Sequence, residues 1–385
     1  MAVCGVIAEY DPFHRGHERH LRLAREKTRA DFVIIIMSGS FTQRGMPALL
    51  PFHARAEMAL RCGADAVLQM PYAFSVREAD GFAAGGVGIL HALGCVTHLS
   101  FGCETDDLSL LKNAAALLEA PDETFLAQVQ SGLDQGLSFA AAQGRAVALR
   151  LGISSDSLNA PNAALAIAYL RALRRLHSPI VPVPVLRKEA YRNQEMEAYP
   201  SAAAVRGALL RGDWQSVEAA TPKEALPALR SAVLSGMCRP EGMDAALRYL
   251  LANTGPEEAA TWPGMDEGLE MRVLQAAKKA VTREELLQLV KTRRYTLGRI
   301  SRSLCHGLMH VTKADLPPAP TAARILGFRE KARPLIREMK RRFPLYDRPA
   351  REPAAALDNR ADELWRALAG LPREDAYHQR PVILP

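Results

Sequence analysis

Short apolar runs alternate with helical periodicity along the first hundred residues. The apolar runs predict strands at residues 2–8, 32–37, 66–70 and 96–101, and the stretches between them predict helices at residues 17–29, 53–62 and 77–93. Strands that alternate with helices are typical of parallel βαβ units. We therefore expect an α/β fold with a Rossmann-like, doubly wound parallel sheet.

The pattern changes in the second half of the chain. Residues 110–151 read as helical throughout, and further helices are predicted at residues 161–176 and 201–211. The apolar run at residues 180–186 predicts a last strand, and its two prolines indicate either a sheet edge or an irregular segment. After Trp214 we expect helices and no strand. With a boundary near residues 213–222, the sequence predicts a catalytic α/β domain (1–215) and a mostly α-helical domain (216–385).

Composition narrows the class of protein. The chain has 385 residues, of which 48% are hydrophobic and 24% charged, as in soluble globular proteins. Its longest apolar run, residues 32–37, is too short to cross a bilayer, and Glu9 and Asp11 are unlike a secretory signal. Six scattered cysteines without a CxxC pair argue against a disulfide framework or structural zinc, and indicate a reducing cytoplasm.

The candidate chemistry follows the first predicted strand, in the segment Glu9-Tyr10-Asp11-Pro12-Phe13-His14-Arg15-Gly16-His17. A loop and a helix N-terminus at the carboxyl end of a parallel strand favour a phosphate ligand. His14 and His17, three residues apart, are placed to reach the same anion, and Gly16 lets the backbone approach it.

Two other interpretations of these histidines remain open. His14 and His17 are also compatible with simple capping of a helix. His14, His17 and His20 could form a metal site, but the metalloprotease pattern HExxH is absent and no further ligand is visible. We predict no metal held by the protein itself; Mg²⁺ bound to nucleotide phosphates fits better.

The His14-x-Gly16-His17 motif resembles that of the nucleotidylyltransferase superfamily. A second superfamily motif, ISSTxxR, lies at the start of a late helix, and Ser201 and Arg206 occupy its first serine and its arginine. Ala202 and Ala203 replace its second serine and threonine. The resemblance implies that His14, His17, Ser201 and Arg206 act on the triphosphate as pyrophosphate leaves.

A closer resemblance covers nearly the whole chain. Residues 8–17, 37–45, 100–104, 161–162, 292–295 and 358–361 resemble, in order, segments of the bacterial tRNA(Met) cytidine acetate ligase family. The resemblance implies an enzyme that forms acetyl-adenylate from acetate and ATP. It then transfers the acetyl group to N4 of the wobble cytidine of elongator tRNA(Met), which gives N4-acetylcytidine.

The same resemblance implies an ATP site. The implied contacts are Ile7, Ala8, Glu9, Tyr10, Pro12, Phe13, His14, Gly16, His17, His20, Gly102, Asn162 and Arg187. Residues 188–193 depart from the family pattern, which has a glycine-containing segment there. Ser40, Gln43 and Arg44, after the second strand, are candidates for substrate or RNA contacts.

The positive charge of the chain is concentrated in one segment. The net charge is +7, but residues 291–342 alone carry +11, and the remainder carries −4. A local excess of this kind indicates an anionic partner such as RNA. The candidate tRNA contacts are Arg293, Arg294, Arg299, Arg302, Lys340 and Arg341, and Tyr295 and Phe343 are candidates for stacking on bases. A solvated basic face is the alternative.

Two other functions remain open from the sequence. A small-molecule adenylyltransferase of the pantetheine-phosphate or NMN type would explain the histidine motif but not the basic segment. A non-catalytic tRNA-binding protein would explain the alanines at positions 202 and 203.

Overall fold

A single mixed sheet forms the centre of the protein. The structure, a computed structural model, describes residues 1–153, 160–187, 201–348, 352–373 and 379–385. The strands are β1 (Val3–Ala8), β2 (Phe32–Ser38), β3 (Ala66–Met70), β4 (His98–Cys103), β5 (Val181–Leu186), β6 (Ala323–Arg329), β7 (Leu345–Tyr346) and β8 (Val382–Leu384). Their order is β5-β4-β1-β2-β3-β6-β7, and β8 pairs with β6.

Helices cover both faces of this sheet and form a further cluster beside it. They are α1 (Arg15–Thr28), α2 (Phe52–Arg61), α3 (Tyr72–Ser75), α4 (Ala79–Ala92), α5 (Leu108–Glu119), α6 (Glu123–Asp134), α7 (Phe139–Leu151), α8 (Pro161–Arg175), α9 (Ala202–Arg211), α10 (Trp214–Ala220), α11 (Leu226–Ser235), α12 (Gly242–Asn253), α13 (Pro256–Thr261), α14 (Leu269–Ala277), α15 (Arg283–Val290), α16 (Leu297–Leu308), α17 (Arg333–Arg342) and α18 (Ala356–Leu368).

The first five strands are parallel, which confirms the expected α/β fold. Alternate residues of β2 enter different cores: Ile34 and Ile36 pack with α4 and α8, whereas Val33 and Ile35 pack with α1 and α2. A strand buried on both faces explains why residues 32–37 form a continuous apolar run. Strands β2 and β3 lie on one side of β1, and β4 and β5 lie on the other side. The strand order therefore reverses at β1, and the crevice between β1 and β4 is the expected ligand site.

The expectation that no strand follows Trp214 is wrong. Strand β6 pairs antiparallel with β3, and β8 pairs with β6. The sequence of β6, ARILGFR, does not indicate a buried strand because Arg324 and Gly327 interrupt its apolar pattern. Arg324 is buried because it pairs with Asp362 of α18, and Gly327 leaves room for β8, since an added Cβ would lie 2.6 Å from the Val382 carbonyl oxygen.

Residues 110–151 form three helices rather than one. The chain leaves α5 at Ala120, and the Asp122 carboxylate caps α6 by accepting a hydrogen bond from the Phe125 N–H. Gly136, with φ of 78°, follows the end of α6. The Ser138 hydroxyl then caps α7 by accepting the Ala141 N–H. Caps of this kind stop helices that apolar periodicity alone would join.

Helices α12 to α16 have an apolar core of their own, which includes Leu247, Trp262 and Ile300. Helices α10 and α11, in contrast, pack into the core that α1 and α2 share with the sheet. The proposed domain boundary near residue 215 stays a prediction. In the described parts of the chain, no helix is both long and apolar enough to cross a lipid bilayer.

The Arg324–Asp362 pair gives a prediction for stability. Both side chains are almost fully buried, with Nη1 and Oδ2 3.0 Å apart. The substitution Arg324→Met leaves the buried Asp362 carboxylate without its cation, so it should lower the free energy of unfolding by about 3–5 kcal/mol in urea denaturation. Arg329→Met, on the same strand but half-buried, should cost less than about 1 kcal/mol. Equal losses would contradict the assigned role of the pair.

Candidate active site

A cavity of about 580 Å³ opens at the carboxyl ends of β1, β4 and β5. Most of the catalytic and ATP-binding residues that the sequence predicts line this cavity. Those that line it are Ile7, Ala8, Glu9, Tyr10, His14, His17, His20, Gly102, Asn162, Arg187, Ser201 and Arg206. Gln43 and Arg44 of the loop after β2 also line it. The sites predicted at distant points of the sequence therefore form one chamber.

Three residues of the predicted ATP segment lie beside the cavity rather than in its wall. Phe13 is fully buried in the core beneath α1, and Pro12 is also buried. Gly16 lies in the first turn of α1, where its N–H is directed to the His14 ring. Their roles are to shape the loop, and a direct ATP contact from them stays a prediction.

Backbone hydrogen bonds fix the two motif histidines. His14 is the N-cap of α1. Its Nδ1 accepts the Gly16 N–H at 3.0 Å, and Nδ1 of His17 accepts the His14 N–H at 3.3 Å. A neutral imidazole that accepts at Nδ1 carries its proton on Nε2. Both rings, with centroids 3.8 Å apart, therefore offer an Nε2–H donor to a ligand.

Burial keeps these histidines neutral. It lowers the pKa of His14 to about 4, and the nearby Arg187 and Arg206 add to that shift. The pKa of His17 is lowered well below its usual value, first by burial and then by His14. Near pH 7 the pair is therefore an uncharged set of hydrogen-bond donors.

Aromatic contacts hold His17 in place. Tyr10 has φ of 49°, a left-handed conformation that few aromatic residues adopt. This conformation directs its ring edge-on to His17 at 4.8 Å and to Phe13 at 4.9 Å. The loop after β1 thus uses an uncommon backbone conformation to pack the imidazole.

The second motif lies opposite, at the start of α9. The Ser201 hydroxyl caps this helix by accepting the Ala204 N–H at 3.2 Å. Arg206 donates from Nη1 to the Asp11 carbonyl oxygen at 2.5 Å. Asp11 in turn accepts the Leu49 N–H at 2.7 Å. Asp11 therefore positions the arginine, a role that sequence reasoning missed although Asp11 lies inside the first motif.

The third group of predicted residues forms a hydrogen-bonded chain across the ends of β4 and β5. Asn162, at the start of α8, donates to Glu104 at 2.6 Å and accepts from Arg187 at 3.3 Å. Gly102 makes this possible, since a Cβ there would lie 3.1 Å from the Arg187 side chain. The glycine therefore leaves room for an arginine. The divergent segment at residues 188–193 lies outside the described residues.

The loop after β2 closes the remaining side of the cavity. The Glu9 carboxylate accepts the Gln43 N–H at 2.6 Å, which holds the turn at residues 42–45 against β1. On its other side, the Ser301 hydroxyl of α16 donates to the Arg44 carbonyl oxygen at 2.5 Å. The chamber is thereby connected directly to helix α16, which carries Arg299 and Arg302.

The sequence left open, as an alternative, a metal site formed by His14, His17 and His20. His20 Nε2 lies 3.1 Å from the Ser100 hydroxyl. Across the residues that the structure describes, no group of three or more His, Cys, Asp or Glu side chains is arranged to hold a metal ion.

The candidate tRNA residues lie outside the cavity and differ in exposure. Residues 293–295 precede α16 in a non-helical bend, because α15 ends at Val290 and the Thr292 hydroxyl accepts the Tyr295 N–H. The apolar periodicity of residues 282–295 predicts a helical stretch that reaches Tyr295, and this prediction is wrong for residues 291–295. Arg293 is exposed, whereas Arg294 and Arg299 both pair with Glu267 at 3.2 Å.

The remaining basic candidates lie on two helices. Arg302 is half-buried on α16 and faces Glu78 and Arg77. Lys340 and Arg341 are exposed on α17. An open surface groove on α17 is lined by Pro334, Arg337, Glu338, Arg341 and Arg342.

The two aromatic candidates for base stacking are buried. Tyr295 is 9% exposed and donates from its hydroxyl to the Glu267 carbonyl oxygen. Phe343 is 6% exposed in the main core. The sequence suggested exposed rings because basic residues surround both aromatic residues. In the structure, both rings are buried beneath those arginine and lysine side chains. Neither ring is available for stacking in this conformation.

Comparisons with known proteins agree with this arrangement. A model of the HIGH Nucleotidyl Transferase family matches residues 1–379. The chain is 36% identical over 361 residues to a tRNA(Met) cytidine acetate ligase of Acetivibrio thermocellus, covering 89% of this chain and 86% of the relative. It is 33% identical over 352 residues to the enzyme of that name from Syntrophomonas wolfei, covering 88% and 85%.

Solved structures give the same result. Thermotoga maritima TmcAL bound with alpha-thio ATP matches with a TM-score of 0.90 and 28% identity, over 100% of both chains. Its apo form matches equally well. The chain belongs to the HIGH nucleotidyl transferase family and, within it, to the family of the tRNA(Met) cytidine acetate ligases.

Proposed function

We propose that this protein is an ATP-dependent ligase that acetylates N4 of the wobble cytidine of elongator tRNA(Met). Acetate and ATP give acetyl-adenylate and pyrophosphate, and transfer of the acetyl group to the tRNA then gives N4-acetylcytidine and AMP. The observation that carries this proposal is the pair of Nε2–H donors from His14 and His17, opposite Arg206, in one chamber. Relatives named tRNA(Met) cytidine acetate ligase support the choice of substrates, and a tRNA substrate implies a cytoplasmic protein.

The first step needs positioning rather than acid–base catalysis. Acetate is already ionised near neutral pH, so its oxygen attacks the α-phosphorus directly. A P–O bond forms to acetate, and the bond to the β-phosphate oxygen breaks as pyrophosphate leaves. The Nε2–H groups of His14 and His17 donate to the phosphate oxygens, where charge develops. Arg206, with the N-termini of α1 and α9, adds fixed positive potential for the leaving group.

The other ATP contacts follow from the walls of the chamber. Gly102, Asn162 and Arg187 form the end of the cavity formed by β4 and β5, which we assign to the nucleoside. The carboxylates that line the chamber, Glu9 and Asp11, both accept backbone N–H groups. With these carboxylate oxygens already engaged, the chamber is better suited to Mg²⁺ that arrives bound to the phosphates and keeps its waters than to an ion enclosed by protein ligands.

The second step requires a dry chamber and a bound RNA. Acetyl-adenylate reacts with water, so the chamber must exclude water until the cytidine arrives. The exposed Arg293 and Arg341 are suited to phosphate contacts, which supply affinity without reading bases. The hydrogen bond from Ser301 to the Arg44 carbonyl oxygen joins this basic region to the chamber.

Two assays test the overall reaction. Purified protein with Mg²⁺ should catalyse acetate-dependent exchange between ATP and pyrophosphate without RNA. With isotopically labelled acetate and tRNA, mass spectrometry of the nucleosides should find the label in N4-acetylcytidine. Absence of both activities from folded protein would overturn the proposal.

Replacement of His14 separates capping from catalysis. Asparagine is a good N-cap residue, so His14→Asn should preserve the start of α1 while it removes the Nε2–H donor. We expect acetate-dependent exchange to fall by about 10²- to 10³-fold, with little change in the melting temperature. Exchange at the wild-type rate would show that His14 does not contact the phosphates.

The pH dependence tests the neutral state of the pair. Because the pKa of His14 is lowered to about 4, its imidazolium is already lost well below neutral pH. The kcat/KM of exchange should therefore stay level between about pH 6.5 and about pH 8.5. A catalytic imidazolium of ordinary pKa would instead make kcat/KM fall about tenfold per pH unit over that range.

The basic bend should contribute to RNA affinity. Joint replacement Arg293→Gln and Arg294→Gln should weaken tRNA binding and reduce the slope of log affinity against log salt by about 1 to 2. The matched control is Arg22→Gln on α1, an exposed arginine that pairs with Glu26 outside the basic segment. If both variants bind tRNA equally, the proposed surface is wrong.

A further inference from the structure

Transfer of an acetyl group to N4 of cytidine releases a proton, and the chamber offers few groups to receive it. Imidazoles and carboxylates are the side chains that accept protons near neutral pH. The lining of the chamber provides His14, His17, His20, Glu9 and Asp11. The hydrogen bonds of each decide which is free to act as a base.

The histidines are poorly suited to this role. His14 and His17 already accept backbone N–H groups at Nδ1 and carry protons on Nε2, so they are donors and have no free lone pair. His20 is engaged with the Ser100 hydroxyl through Nε2.

Asp11 is committed to the framework. It is only 7% exposed, and its Oδ1 accepts the Leu49 N–H. Its Oδ2 lies 3.5 Å from Nη1 of Arg206, which also donates to the Asp11 carbonyl oxygen. Both carboxylate oxygens of Asp11 are therefore engaged by neighbouring groups of the framework.

Glu9 differs from these groups in having a free oxygen. Its Oε1 accepts the Gln43 N–H, and within the described ranges no hydrogen bond is made by its Oε2. The side chain is half-buried in the wall of the chamber, at the end of β1 and beside the turn that carries Arg44. Glu9 is therefore a cavity-lining carboxylate that is held at Oε1, and among the described residues Oε2 has no hydrogen-bond partner.

We propose that the Glu9 carboxylate is the general base of the transfer step. N4 of the cytidine attacks the carbonyl carbon of acetyl-adenylate and forms a C–N bond. The bond from that carbon to the phosphate oxygen breaks, and its electron pair leaves with AMP. One N4 proton passes to Oε2 of Glu9 and is released to water when the products depart. This inference rests on the proposed function and adds a role that the first step does not need.

The surroundings of Glu9 favour a base that works near neutral pH. Burial raises the pKa of Glu9, and the nearby Asp11 raises it further. The Gln43 N–H, Arg44 and Arg55 lower the pKa in part, without cancelling the rise. Tyr169 of α8 also faces this carboxylate. A carboxylate of raised pKa takes up a proton more readily than an ordinary glutamate and still returns it to water.

The test supplies synthetic acetyl-adenylate and tRNA in a single turnover, which bypasses the first step. N4-acetylcytidine is measured by nucleoside mass spectrometry across a range of pH. In the variant Glu9→Gln, the amide oxygen still accepts the Gln43 N–H, so the loop stays in place while the base is lost. The control Glu26→Gln makes the same chemical change in an exposed ion pair on α1.

The wild-type rate should rise with pH through the pKa of Glu9 and then level off. Glu9→Gln should transfer acetyl about 100-fold or more slowly and lose this rise, while Glu26→Gln should match the wild type. The loss in transfer should exceed any loss in ATP–pyrophosphate exchange by at least about tenfold.

Two results would overturn the inference alone. One is wild-type transfer and an unchanged pH profile in Glu9→Gln, which would mean that the departing phosphate takes the proton. The other is an equal fractional loss of exchange and transfer, which would mean that Glu9 only builds the chamber. Wild-type protein that forms no N4-acetylcytidine from acetyl-adenylate would overturn the proposed function itself.

Discussion

The hydrogen bonds that backbone N–H groups donate to Nδ1 of His14 and His17 determine what the chamber does chemically. They satisfy donors that every helix N-terminus leaves unpaired, and they fix the proton of each ring on Nε2. Burial then keeps both rings neutral. Nδ1 of each ring thus serves the start of α1, and Nε2–H of each ring is the donor that we propose for phosphate. The capping and phosphate interpretations of the sequence are therefore compatible, because they concern different nitrogens of each ring.

Several contacts from distant parts of the chain hold the loops around this pair in place. The turn after β2 is held by Glu9 on one side and by Ser301 on the other. Helix α18 holds the same loop through two hydrogen bonds. The Ser40 hydroxyl donates to the Asp362 carboxylate, and the Trp365 indole N–H donates to the Ala48 carbonyl oxygen at 2.6 Å. Segments near the end of the chain therefore stabilise a loop near its beginning.

Much of this arrangement was predictable from local sequence. The apolar run at residues 32–37 predicts a strand buried on both faces, and strand, loop and helix around His14 predict a phosphate site at the edge of the sheet. Strand β6 was not predictable, because the burial of Arg324 depends on Asp362, 38 residues away. The bend at residues 293–295 depends on the Thr292 hydroxyl, and the burial of Tyr295 depends on Glu267. Apolar periodicity reveals neither a local polar contact such as that of Thr292 nor a distant one such as that between Arg324 and Asp362.

In the proposed mechanism, the neutral Nε2–H groups of His14 and His17 hold the phosphates of ATP at the carboxyl end of β1. A crystal structure of this protein with a non-hydrolysable ATP analogue would show the position of the phosphates. We expect Nε2 of both rings within about 3 Å of phosphate oxygens, with Nδ1 still bonded to the backbone. A nucleotide bound outside the chamber, or phosphates turned away from both imidazoles, would contradict it.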